Sequence, residues 1–147
     1  MIRIRAATAT GGARRPLGFT LLELLVVVAI IGLLAGYVGP KYFGQIGKAE
    51  VKEARAQIDA LEKALDAYRL DTGHYPTTEQ GLNALMTQPP GTQGWGGPYL
   101  KKGVPMDPWG HPYQYKSPGD HGEYDVWSYG KDGAPGGTGE NADITNW

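Results

Sequence analysis

The chain contains no cysteine among its 147 residues. That excludes a disulfide framework, a thiolate metal centre and a cysteine nucleophile, and it leaves the redox compartment open. Acidic residues are absent before Glu23, while Arg3, Arg5, Arg14 and Arg15 supply four of the 14 basic residues within the first 18 positions. The formal charge of -1 therefore hides a basic leader in front of a mildly acidic body. Such a body lacks the basic footprint of a nucleic-acid binder. Also absent are GxSxG, HExxH and any pair of carboxylates at a catalytic spacing, so no enzyme motif is present. The three histidines, His74, His111 and His121, lie far apart beside glycine or proline. They lack the short ligand spacings of a zinc site and read as loop histidines.

What the chain does contain is one long apolar run. Phe19 to Val38 is FTLLELLVVVAIIGLLAGYV, with a single charge. As a helix rising about 1.5 Å per residue it matches the roughly 30 Å hydrocarbon core of a bilayer. The arginines before it place the N-terminus in the cytoplasm and the remainder outside, giving a single-pass topology. The competing reading is a secretory signal peptide, whose apolar region runs to about 7 to 15 residues; this run is longer, carries Glu23 and offers only a weak cleavage site near Ala35 and Gly36. Gly32 and Gly36 form a GxxxG pair, a weak signal because glycine is common in such helices.

A carboxylate at the centre of a bilayer costs about 2.5 to 3.5 kcal/mol on the lenient insertion scale. Glu23 lies only four residues after Phe19, so it can remain near the headgroups in a monomer and becomes buried when helices bundle. Burial then requires a cation. No Lys or Arg lies between residues 16 and 40, so the partner must come from elsewhere.

Beyond the apolar run, Pro40 lacks an N–H and predicts a kink or loosening near Gly36 to Pro40. Helical periodicity resumes with Val51, Ala54, Ile58, Leu61, Leu65 and Tyr68, spaced alternately by three and four. This stripe suits either a coiled coil or a helix laid on a small sheet. Gly73, after Asp71 and Thr72, predicts the helix end. A short helix is expected from Thr78 to about Met86, closed by Pro89 and Pro90. The alternating stretches Pro112–Lys116 and Tyr124–Tyr129 predict two strands, with a third near Tyr99 to Lys101. One long helix with three short antiparallel strands makes an α+β domain.

The string Gly18-Phe19-Thr20-Leu21-Leu22-Glu23 behind a basic leader resembles the class III signal of type IV pilins and pseudopilins. That resemblance implies cleavage by a prepilin peptidase between Gly18 and Phe19 and methylation of the new amine. It also implies that Glu23, fifth in the mature chain, pairs with the N-terminal amine of a neighbouring subunit. The phrases Asp71-Thr72-Gly73-His74-Tyr75-Pro76 to Leu82, Asp107-Pro108-Trp109-Gly110, and Asp132-Gly133 through Asp143 to Trp147 are similar to those of the major pseudopilins of type II secretion systems. Major type IV pilins usually carry a disulfide that this chain cannot form.

The resemblance implies a pilin-like fold divided into a cleaved leader (1–18), a transmembrane and assembly helix (19–44) and a periplasmic domain (45–147). It implies a structural subunit of the inner membrane that polymerises to drive folded proteins from the periplasm across the outer membrane. Its partners would be other copies of itself, minor pseudopilins, the prepilin peptidase and the inner-membrane secretion platform. The alternatives are a type IV pilus or competence pilin and, in another class, a membrane-anchored periplasmic enzyme.

Two further sites are expected. Glu62 and Asp66 share a helix face at i,i+4 and repel unless a cation bridges them, a role available to Lys101 or Lys102 of a neighbouring subunit. In the glycine-rich ending, oxygen-bearing Asp132, Glu140, Asn141 and Asp143 surround a loop that reads, on residues alone, either as a solvated Asp-Gly turn or as a calcium loop. The resemblance implies calcium, with Asp132 and Asp143 as side-chain ligands and Asn141 or Glu140 and the Tyr129 carbonyl completing the shell.

Overall fold

The structure, a computed structural model, describes residues 18–147. The leader call, apart from Gly18, lies outside these residues. Two compact units, one ending at Pro40 and one spanning Lys41–Trp147, share the helix α1 (Leu21–Thr72) and are described separately.

In the first unit the helix opens on a polar cap: Thr20 Oγ1 accepts the backbone N–H of Glu23 at 3.2 Å. This satisfies one of the donors that a helix start leaves free. The apolar side chains from Leu21 to Val38 are exposed on every side. Among the described residues α1 is the one helix long and apolar enough to cross a membrane. The expected break at Pro40 does not end the helix, which continues across it.

In the second unit Ala54, Ile58, Leu61, Leu65 and Tyr68 are fully or almost fully buried, so the stripe faces a core. Burying each large side chain of this kind is worth about 1.5 to 3 kcal/mol. The stripe packs with Leu82, Ala84, Leu85, Tyr113, Val126 and Ile144, which makes it the seam of a helix on a sheet. The helix ends where expected: Gly73 takes φ +84° and donates its N–H to Arg69 O at 2.8 Å. Positive φ is cheap for glycine and closes the last turn.

The sheet comprises β1 (Gln114–Lys116), β2 (Asp125–Ser128) and β3 (Ile144–Thr145) in the order β1-β2-β3, all antiparallel. Tyr115 faces Val126, and Ser128 faces Ile144. The first two strands lie within the predicted stretches, β1 at the end of the first and β2 in the middle of the second. The third strand expected near Tyr99 to Lys101 is corrected to Ile144–Thr145, because Tyr99 N–H is taken by Leu85 O at 2.8 Å and joins no ladder. The expected helix from Thr78 shrinks to a 3₁₀ turn over Leu82–Leu85. Gly81 sits at φ +60°, ψ -168°, which interrupts helical backbone ahead of it.

Candidate functional sites in the first helical turn and the C-terminal loop

Glu23 lies in the first turn of α1, three residues after its capping Thr20. A threonine followed three residues later by glutamate is the capping-box pattern, and a negative charge there also suits the helix dipole. Glu23 thus has a local structural use in addition to any partner.

Farther along α1, Asp66 Oδ1 accepts the Tyr75 hydroxyl at 2.9 Å, and Glu62 Oε1 accepts the Asn146 side-chain amide at 3.2 Å. Each carboxylate has a neutral donor within its own chain. Arg69 reaches Tyr75 OH at 3.2 Å and pairs with Glu123. Lys101 and Lys102 are exposed.

The C-terminal loop is pinned at its neck by Lys131. Its N–H donates to Glu140 O at 2.9 Å and its Nζ pairs with Glu140 Oε2 at 2.7 Å. Within the loop, exposed Asp132 accepts the Ala134 N–H at 3.2 Å through Oδ1. Asp143 Oδ2 accepts the Gly136 N–H at 3.0 Å, whereas Asp143 Oδ1 is buried with no hydrogen-bond partner among the described residues. Gly137, at φ +86°, lies so close to the Asn141 carbonyl that a Cβ would collide with it. Gly130, at φ +74°, lies less tightly but still closely against the carbonyls of Glu140 and Ala142, where a Cβ would come within 2.8 to 2.9 Å of them. Asn141 is exposed and Tyr129 half-buried in the same loop. Among the described residues no three His, Asp or Glu side chains converge as a chelating set. The fit to calcium rests instead on the orphaned oxygen of Asp143, in a loop that also carries Asp132 and backbone carbonyls. Calcium accepts carbonyls and water among its six to eight oxygens, so this donor chemistry suits it.

A third cluster falls on a phrase that the sequence offered only as a family resemblance, with no site role. The turn Asp107-Pro108-Trp109-Gly110-His111 is organised by Asp107, whose carboxylate is fully buried. Its Oδ1 accepts the N–H groups of Trp109 (3.1 Å) and His111 (2.8 Å), and its Oδ2 accepts the Ser128 hydroxyl at 2.6 Å. Trp109 Nε1 donates to Glu50 of α1 at 2.9 Å. His111, read as a loop histidine, reaches the Gly130 carbonyl at 3.2 Å through Nδ1. The available signal was the Asp-x-x-Gly turn pattern, which announces a turn without naming its tertiary contacts. Of the other histidines, His74 Nδ1 approaches Tyr75 O at 3.0 Å, and His121 Nδ1 approaches Asp125 Oδ2 at 3.0 Å while its ring stacks on Trp147.

An apolar helix opening on Thr20 and Glu23, continued by an amphipathic stem against a three-stranded antiparallel sheet, has the architecture of a pilin-like protein. Residues 14–38 match the model of the prokaryotic N-terminal methylation motif, and residues 41–147 match that of type II secretion system (T2SS), protein G. The chain belongs to the type II secretion system protein G family, and it is a structural subunit of the secretion pseudopilus. It is 52% identical over 138 residues to type II secretion system core protein G of Vibrio cholerae, covering 91% of this chain and 93% of that one. Identity to the Pseudomonas aeruginosa core protein G is 47% over 138 residues, covering 91% and 96%. The crystal structure of the major pseudopilin from the type 2 secretion system of enterohaemorrhagic Escherichia coli is similar at TM-score 0.61 and 40% identity, covering 71% of this chain and 92% of that one.

Proposed function

We propose that this chain is a single-pass inner-membrane precursor, cut between Gly18 and Phe19 by a prepilin peptidase, methylated on Phe19 and assembled with further copies into a periplasmic pseudopilus. The minor pseudopilins and the inner-membrane secretion platform are its assembly partners. It works by polymerising, without catalytic turnover, and moves folded proteins from the periplasm across the outer membrane.

The observation that carries this reading is the placement of Glu23 in the first turn of a helix whose apolar surface is otherwise uncovered. In a bundle of such helices Glu23 leaves water, and the N-terminal amine of a neighbour meets it. An α-amine has an ordinary pKa of about 7.7 to 8.0 and is mostly cationic near neutrality. Removing one member of a buried ion pair costs about 3 to 5 kcal/mol, because the remaining charge stays unpaired. A neighbour's Lys101 or Lys102 facing Glu62 and Asp66 adds a second electrostatic contact along the stem.

Calcium is the proposed ligand of the C-terminal loop, with Asp132 and Asp143 as side-chain ligands and Asn141 and the Tyr129 carbonyl beside them. Bound there, it supplies a divalent charge that neutralises carboxylates and gathers carbonyls. Asp143 contributes an oxygen that has no donor in the protein. The tight carbonyl packing at Gly130 and Gly137 limits how far the loop must reorganise.

The test is Glu23→Gln, which keeps a capping-box side chain and removes the charge. The variant is expected to insert and be processed, yet to lose crosslinkable multimers and exoprotein secretion. Normal secretion and normal multimers in the Gln variant would overturn the assembly role.

A further inference from the structure

We propose that the C-terminal loop is a latch on the stem: the Glu140 carboxylate seats on Gly47 of α1, so that closure of the loop and winding of α1 around Gly47 are gained and lost together. A glycine inside a helix weakens it relative to alanine, and α1 carries two in this stretch, Gly44 and Gly47. Their surroundings differ. A Cβ added at Gly44 would meet nothing within 4 Å, whereas one added at Gly47 would fall inside the Glu140 side chain. Gly47 is buried although Gly44, Gln45, Ile46, Lys48 and Ala49 around it are exposed, so its cover comes from outside the helix.

Lys131 holds Glu140 in this position across the neck of the loop. The Glu140 C=O accepts the Lys131 N–H at 2.9 Å, and Glu140 Oε2 pairs with Lys131 Nζ at 2.7 Å. The Glu140 hydrogen bond and charge raise the Lys131 pKa above its ordinary value, and the charge of Glu50, three residues after Gly47 on α1, adds to the rise. Glu50 also accepts Trp109 Nε1 at 2.9 Å, and Val51 packs against the core. The turn from Gly47 to Val51 is thus tied to the loop at one residue and to the Asp107–His111 turn at another. A side chain at position 47 would exclude Glu140, and loss of Glu140 would uncover a turn that two glycines already weaken. Its carboxylate is engaged within the chain, so Glu140 serves the latch and not the cation shell.

The experiment is amide hydrogen exchange, read by mass spectrometry on the full chain in detergent with chelator, so that calcium plays no part in the outcome. Glu140→Ala should speed exchange by about two- to fivefold, the effect of one partly exposed ion pair, both at residues 130–142 and at 47–51, and leave 58–68 unchanged. The atoms that a Cβ at Gly47 would meet belong to the end of a flexible side chain, so Gly47→Ala should fold and displace Glu140 alone. Exchange at 130–142 should then rise even though alanine favours the helix. Gly44→Ala, which meets nothing, should leave the loop as it is. Added to Glu140→Ala, Gly47→Ala should instead slow exchange at 47–51, because only the helix preference remains. Unchanged exchange at 47–51 in Glu140→Ala, or the same response of the loop to Gly47→Ala and Gly44→Ala, would overturn the proposal.

Discussion

Tyr68 provides a test with an unusual sign. Its side chain is fully buried, its ring meets the edges of Tyr99 (centroids 5.7 Å apart) and His74 (6.1 Å apart), and its hydroxyl has no hydrogen-bond partner among the described residues. An unmet buried hydroxyl carries a desolvation penalty of about 1 to 3 kcal/mol. Tyr68→Phe removes that group and keeps the ring packing, so the variant should be more stable by about 1 kcal/mol or more. For a unit of this size each kcal/mol corresponds to roughly 4 to 8 °C in melting temperature. All four tryptophans, Trp95, Trp109, Trp127 and Trp147, lie in the second unit. Thermal unfolding followed by their fluorescence, on the full chain in detergent, therefore reports on the unit that holds Tyr68. A melting temperature several degrees below wild type would refute the reasoning, since it would mean that the hydroxyl has a partner, such as a buried water, whose loss costs more than the penalty removed.

Calcium should raise the melting temperature and chelator lower it, by about 2.7 kcal/mol of linkage at a hundredfold excess over the dissociation constant, and Asp143→Ala should abolish the difference; identical curves with and without chelator in wild type would exclude the site. Acid stability provides a further check. Burial raises the pKa of Asp125, but hydrogen bonds from the His121 ring and from the N–H groups of Asp120 and His121 outweigh it, and the carboxyl ends below its ordinary value. Its contribution is therefore complete above the ordinary carboxylate range and disappears as pH falls through the depressed value. Asp125→Asn should flatten the loss of stability on acidification below about pH 4, and an unchanged acid limb would count against this assignment.

Periodicity made the stem legible because a spacing of three and four leaves one face for the core, and Ala54 through Tyr68 occupy it. The two longer strands were legible from alternation. Ile144–Thr145 was not, because two residues set no period and the glycine-rich text before them reads as loop. Tyr99 to Lys101 carried a false strand signal, since residue types do not reveal that the Tyr99 N–H is bonded to Leu85. Gly81 carried the opposite lesson: a residue tolerated within a helix window adopts positive φ and ends the pattern. At the candidate sites, Glu23 was legible because an acid in an apolar run demands an explanation. The acids of the C-terminal loop were legible as oxygen-bearing side chains, but not the backbone N–H groups that Asp132 and Asp143 accept there. The clamp formed by Asp107, Ser128 and His111 on Gly130 was not, because its members come from separate segments and meet only in the folded chain.

The account depends most on a mature chain that begins at Phe19, with its amine free to meet Glu23 of a neighbour. Mass spectrometry of the N-terminal peptide of protein purified from cells with an intact secretion system measures this directly. The expected result is a peptide starting at methylated Phe19, with uncleaved precursor accumulating when Gly18 is replaced by a bulky residue. An intact leader, or a start after Ala35, would contradict the account.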